Sequence, residues 1–363
     1  MKIAVLGGGN GAFAAAGDLA LAGHAVRLWR RDASAVAAQR AAGGAIVIED
    51  ARGRHEAHPR LVTSDMAAAV AGAELIVCAT PATAHDDVAA ALAPHVQSGQ
   101  VVLLTPGSFG SFLFAKAVRD AGNGADAVFA ETATLPWLTR KHGEFMVAVT
   151  VRATRLPVGV LPLRRQLYTL AVVARAFPGA VEAGGDALSA ALLNAGPVLH
   201  PPLITMNATP LEHFPSWDIH KEGTQPCVRR VTDALDAERI AVREALGYGT
   251  PHFPIADHYA EEGEEWMYPR GSHARLTASG DWRERIALSK HRYMREDVAI
   301  GLSLLASVGA LAGVRTPLAE AFLAIGSAIC GEDLAARGRT LSRLGLAGHD
   351  AESLRALLEE GIA

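Results

Sequence analysis

The sequence predicts two domains of different class: a doubly wound, mostly parallel α/β sheet over residues 1–183, then an all-α domain over residues 184–363. Three observations predict this. Through the first half, short apolar runs alternate with helical stretches, the pattern of parallel strands joined by crossover helices. Past residue 180 the strand signals stop and long helical patterns take over. A chain of 363 residues also exceeds one ordinary core, and it suits two domains of roughly 150 to 200 residues each.

Taken in order, Lys2–Leu6 is a short apolar strand, the glycines from Gly7 form a turn, and the alanine-rich stretch beyond is a helix stopped by Gly23. A second strand follows in AVRLW, closing a β-α-β unit. Further strands are expected at Ala45–Ile48, Leu75–Thr80, Val101–Thr105, Ala127–Ala130 and Phe145–Val151, with helices at Asp86–His95 and Phe112–Ala121. Leu156–Pro162 holds two prolines and a glycine and reads as a loop. The domain boundary is expected near Ala183–Asp186, where two glycines precede a helix. Helices are then expected at Asp186–Leu193, Cys227–Leu246 and Val298–Ala312. Trp217, Trp266, Trp282, Tyr248, Tyr259, Tyr268 and Tyr293 gather in this half. They serve either core and subunit packing, as in a homodimer, or a pocket wall against the cofactor domain.

The net charge of −4 offers no basic surface for nucleic acid or an anionic membrane. Cys78, Cys227 and Cys330 are far apart and show no metal-ligand spacing, so neither a metal site nor a disulfide framework is expected. The start lacks the pattern of a signal peptide, and no stretch approaches an uninterrupted apolar span of about twenty residues. The expectation is a soluble, reduced, cytoplasmic protein.

Gly7-Gly8-Gly9-Asn10-Gly11-Ala12 fits the dinucleotide-binding fingerprint of a Rossmann domain, with Gly7 and Gly9 as its first two glycines and Ala12 in the third place. Gly7 permits the tight turn, Gly9 lets backbone approach a pyrophosphate, and Ala12 keeps helix and sheet close. The helix N-terminus beyond Asn10 and Gly11 favours the phosphate charge. At the end of the second strand, where NAD-selective sites place an acid, stand Arg30 and Arg31. Two guanidinium groups there match a 2′-phosphate and favour NADP(H), with NAD(H) the alternative. Thr80-Pro81, at the carboxyl end of an apolar strand, is expected to border the nicotinamide half.

His200 sits among Pro197, Pro201 and Pro202 in an apolar helical stretch, and reads either as structural or as a proton-transfer group facing the nicotinamide. Asp297 heads an apolar helix and reads either as an N-cap or as the acid that orients a histidine. GGGNGAFAAAGDLALAGH at the start, AETATLPW at 130–137, NAGPVLHPP at 194–202 and REDVAIGLSLLASVGALAGVRTP at 295–317 together resemble the octopine/nopaline (opine) dehydrogenase family, in order and spacing, over nearly the whole chain.

The resemblance implies a Rossmann domain followed by a helical domain with the active site between them, and NAD(P)H-dependent reduction of the imine formed from an α-keto acid and an amino acid. It places the catalytic histidine at His200 and its acidic partner at Asp297, and turns both residues toward chemistry. Substrate-binding candidates are Glu131, Asn194 and Arg292, with Arg295 and Arg140 as further cations near these motifs. A reductase of the ketopantoate or glycerol-3-phosphate type shares the two-domain plan but needs a lysine, and the helical half offers only Lys221 and Lys290. A non-catalytic NADP-binding sensor is the reading of another class.

Overall fold

The computed structural model describes residues 1–362. The chain forms two compact units, one running from Met1 to Ala191 and resuming at Leu357, the other comprising Leu192–Ala356. The strands of the first unit are β1 (Lys2–Leu6), β2 (Ala25–Trp29), β3 (Ile46–Asp50), β4 (Gly53–Ala57), β5 (Leu61–Thr63), β6 (Leu75–Cys78), β7 (Val101–Leu104), β8 (Val128–Thr132), β9 (Trp137–Lys141), β10 (Met146–Arg152), β11 (Leu156–Leu161) and β12 (Val181–Asp186). Its helices are α1 (Asn10–Leu21), α2 (Ala33–Ala41), α3 (Met66–Val70), α4 (His85–Leu92), α5 (Gly110–Asp120), α6 (Gln166–Ala176) and α7 (Ala187–Ala191).

Eight strands form one sheet in the order β12-β11-β8-β7-β6-β1-β2-β5. Its pairings are parallel except for β8 against β11. β1, β6 and β7 are buried along nearly their whole length, as a sheet covered on both faces requires. The switch in strand order leaves the carboxyl ends of β1 and β6 side by side, with the turns after Leu6 and Cys78 facing each other.

A second, four-stranded sheet in the order β4-β3-β10-β9 packs against the outer side of α1. Gly17 makes room for it, since a Cβ there would stand 2.5 Å from Ile48 Cδ1. Asp18 of α1 then accepts hydrogen bonds from Trp137 Nε1 at 2.8 Å and from Arg152 at 2.7 and 3.0 Å, fixing β9 and β10 to the nucleotide-side helix. These charge-assisted bonds compensate for partly burying both groups.

The second unit contains α8 (Gly196–Thr205), α9 (Ala208–His213), α10 (Pro226–Ala245), α11 (Ile255–His258), α12 (Ser272–Ser279), a π-helix (Tyr293–Leu302), α13 (Ser303–Leu311) and α14 (Pro317–Cys330). A ribbon of two-residue strands, β13 (Trp217–Asp218) and β14 (Arg283–Glu284), interrupts the helices. The α8 helix lies directly on the π-helix.

Several expectations need correction. Leu156–Pro162 is not a loop: β11 is buried at every position, with prolines at its second residue and just past its end. Gly159 sits in it because a Cβ would collide with the carbonyl of Asp186, where α7 packs down. The boundary expected between residues 183 and 184 falls inside β12, and the first unit continues to Ala191. Strands also persist beyond residue 180, as β12 and the β13–β14 ribbon. One apolar run, Ala187–Thr205, does reach the length and hydropathy of a membrane span, but 78% of its window is buried inside the protein. The three cysteines are free of disulfides, with Cys78 buried and Cys227 exposed.

Candidate functional site

The glycine turn is built as a cradle. Gly7 has φ +132°, a conformation that side chains avoid, and a Cβ there would stand 3.0 Å from Ala12 Cβ and 3.1 Å from Thr80 Cγ2. Gly9 is the N-cap of α1, has no side-chain cap, and meets nothing within 4 Å of where a Cβ would be. The leading N–H groups of α1 are thus approachable by an anion. Thr80 and Pro81 follow β6 beside this turn, with the Ala79 carbonyl 3.3 Å from the Gly7 Cβ position. These residues fit a dinucleotide pyrophosphate.

The two arginines after β2 part company. Arg30 is buried, and its Nη1 donates to the Ala35 carbonyl and to Gln39 Oε1, both at 2.9 Å. Its Nε lies 3.3 Å from the Gly8 Cβ position, so the guanidinium borders the turn. Arg31 points outward and pairs with Asp87 at 2.9 Å, both side chains more than two-thirds exposed. Asp32 caps α2 through Ser34 and Ala35. Asn10 Oδ1 accepts from the Lys141 backbone N–H at 3.0 Å, a tie between the turn and the second sheet.

In the second unit, two glycines decide how close the elements come. A Cβ at Gly196 would collide with Asp297 Oδ1, and one at Gly301 with Pro197 Cγ. Their absence lets α8 settle onto the π-helix until His200 Nδ1 lies 2.8 Å from Asp297 Oδ2. Both side chains are mostly buried, at 12% and 7% exposure. Burial pushes the Asp297 carboxyl up to about 7, against the opposing pull of Arg292 and His291. Asp297 is therefore no N-cap; it sits midway in the π-helix, a geometry frequent at functional sites.

Tyr293, one turn before Asp297, stacks on the His200 ring at 3.9 Å between centroids and 20° between planes. Arg292 stands 5.2 Å from the Tyr293 centroid and 3.6 Å from Glu296, its side chain 42% exposed. Burial opposes the Arg292 charge, but Glu296, Tyr293 and Asp297 outweigh it and hold the guanidinium above its ordinary value. His220 meets the His200 ring edge-on at 5.9 Å.

Other expected substrate residues are engaged locally. Glu131 is fully buried and accepts from Phe109 N–H at 2.8 Å, Ser111 N–H at 3.0 Å and Ser111 Oγ at 2.6 Å. It thereby holds the start of α5, where Ser108 and Phe109 have left-handed φ of 50° and 63°. These bonds tie the expected substrate-binding residue Glu131 to the start of α5. Asn194 Oδ1 accepts from Gly196 N–H at 3.1 Å and starts α8. Arg295 pairs with Glu332 and donates to the Ser289 carbonyl at 2.6 Å. Tyr293 was expected only among the aromatic residues of this half, as packing or pocket wall, and nothing in the sequence singled out His220 or Lys141. Tyr293 carried a signal in its spacing of four from Asp297, which puts the two near one helix face.

A nucleotide-binding sheet and a separate helical unit with a buried His–Asp pair define a nicotinamide-dependent oxidoreductase. The helical half matches the family model "NAD/NADP octopine/nopaline dehydrogenase, alpha-helical domain" over residues 183–330, and residues 3–126 match that of ketopantoate reductase PanE/ApbA. The chain is 33% identical over 363 residues to an opine dehydrogenase of Arthrobacter sp., covering 98% of both chains. It is 28% identical over 360 residues to vitopine synthase of Allorhizobium ampelinum, covering 96% of both. A solved octopine dehydrogenase in complex with NADH and agmatine shares the fold, with a TM-score of 0.74 at 18% identity, over 100% of this chain and 99% of the other. The chain belongs to the octopine/nopaline (opine) dehydrogenase family.

Proposed function

We propose that the protein joins an α-keto acid to an amino acid by reductive condensation, with His200 as the proton-transfer group, Asp297 as its orienting acid and NADP(H) as the preferred cofactor. The observation that carries this reading is the 2.8 Å contact between His200 Nδ1 and Asp297 Oδ2, buried and backed by Tyr293. The attacking amine must lose a proton, and the carbinolamine must lose its hydroxyl as water. The amino acid arrives as an ammonium: His200 takes one proton from it, the free amine adds to the keto carbon, and a second proton passes from nitrogen to the former carbonyl oxygen to give the carbinolamine. His200 then returns the first proton to the departing hydroxyl, so water leaves and the imine keeps one proton on nitrogen. The reduced nicotinamide, when bound, supplies the hydride that converts this imine carbon to the secondary amine. A single group that accepts and donates near neutral pH serves both steps, and histidine is suited to that. Asp297 holds Nδ1, so the exchange runs through Nε2. Arg292, half-exposed beside Tyr293, is a cation for a substrate carboxylate, and Asn194 shapes the start of the helix that carries His200.

The assay is NADPH or NADH oxidation with an α-keto acid and a panel of amino acids. Amine-dependent oxidation is expected. Oxidation by the keto acid alone would favour the ketopantoate-type reading, and cofactor binding without turnover a sensor. The NADP(H) preference rests on Arg30 at the glycine turn, since Arg31 is paired on the surface. Arg30→Ala is expected to weaken NADPH more than NADH in a binding titration; equal weakening removes the preference.

A further inference from the structure

We propose that Lys141 acts with Arg30 to select the phosphorylated cofactor, the two cations gripping its 2′-phosphate from opposite sheets; the inference rests on the NADP(H) reading above. Lys141 ends β9, in the small sheet and not in the nucleotide-binding one. Its backbone N–H is held by Asn10 Oδ1 at 3.0 Å, which pins this strand end to the glycine turn. From there the ammonium stands 4.1 Å from the centroid of Phe13, a fully buried ring of α1. The Arg30 guanidinium is 5.3 Å from the same centroid. Two cations thus converge on one aromatic ring, with Arg30 Nε also bordering Gly8.

Alone, that convergence is unfavourable. Burial lowers the Lys141 ammonium from its ordinary value and the neighbouring Arg30 charge lowers it further, while Glu144 works the other way. Among the described residues neither cation has a carboxylate within the 4.0 Å of an ion pair. Glu144 reaches both only at longer range, and Asp32, which also bears on Arg30, is engaged in capping α2. A dianion would be stabilised by both charges at once and would remove their repulsion.

The geometry also points to which phosphate. The pyrophosphate is met by the N–H groups after Gly9, whereas Arg30 immediately follows the last residue of β2, the strand end that serves the adenosine ribose. Arg31 looks outward toward Asp87. The second cation for a 2′-phosphate therefore comes from outside the nucleotide-binding sheet, and β9 supplies it.

The test is calorimetric titration of the intact protein with adenosine 2′,5′-bisphosphate and with 5′-AMP, comparing wild type, Lys141→Gln and Lys141→Arg. Lys141→Gln should weaken the bisphosphate by about tenfold or more, the loss expected for one hydrogen bond to a charged group, and leave 5′-AMP unchanged. Lys141→Arg should retain the preference. Equal losses on both nucleotides, or no loss on the bisphosphate, overturn the inference. A wild type that binds both nucleotides equally overturns the NADP(H) reading and this inference together. The amine-dependent assay is independent of these affinities, so a failure of opine formation leaves them to decide.

Discussion

In the proposed mechanism His200 exchanges a proton through Nε2 while one buried acid, Asp297, holds its Nδ1. Removal of the ring by His200→Ala should lower turnover by at least about a hundredfold, as loss of a general acid-base does, with nucleotide affinity kept because the glycine turn belongs to the other unit. Turnover measured beside a cofactor titration checks this, and unchanged turnover would remove His200 from the mechanism. Asp297 makes a prediction about stability. Its folded pKa of about 7 stands above the ordinary 3.8, so between these values the folded protein holds a proton that the unfolded chain has released. Stability from this group is fully present below the ordinary value and is lost as pH rises through the folded one. Asp297→Asn should flatten that part of the pH dependence in urea unfolding, and an unaltered slope would show the acid to be ionised throughout.

The contact between α8 and the π-helix depends on what is missing from two side chains. Gly301→Ala forces a methyl into Pro197, and overpacking of this kind costs about 1–3 kcal/mol. A lowered urea midpoint together with reduced turnover is expected, since the same contact sets the His200–Asp297 distance; a midpoint equal to wild type would mean the helices separate freely. The glycine turn and the strands β1, β6 and β7 were legible in the sequence because their signals are local: apolar runs, a glycine at each special backbone position, a helix start. β11 was not, because Pro157, Gly159 and Pro162 carry the signature of a loop while serving as a buried strand. The His200–Asp297 pair was legible through family motifs, whereas residue spacing alone left each side chain with a structural reading. Lys141 was illegible for a different reason. Its partner Asn10 is 131 residues away, and β9, the strand that carries it, was not among those expected, although Ala45–Ile48 and Phe145–Val151 supply β3 and β10 of the same sheet.

At the scale of the molecule, the sheet unit is closed by residues from both ends of the chain. The helix Ala351–Glu360 reaches into it, with Leu358 buried at 1% exposure and Arg164 donating to the Glu360 carbonyl at 3.2 Å. Deletion of residues 357–363 should destabilise the sheet unit by about 2 kcal/mol or more, the worth of one buried leucine. A melt followed with and without NADPH checks this, and an unaltered melt would make the segment dispensable.

The same connectivity bears on how the protein is made. Because the chain leaves the sheet unit at Ala191 and re-enters it at Leu357, translation interrupts one unit to write the whole of the other. The segment from Leu357 that closes the nucleotide-binding half is therefore written after every residue of the half that bears His200 and Asp297.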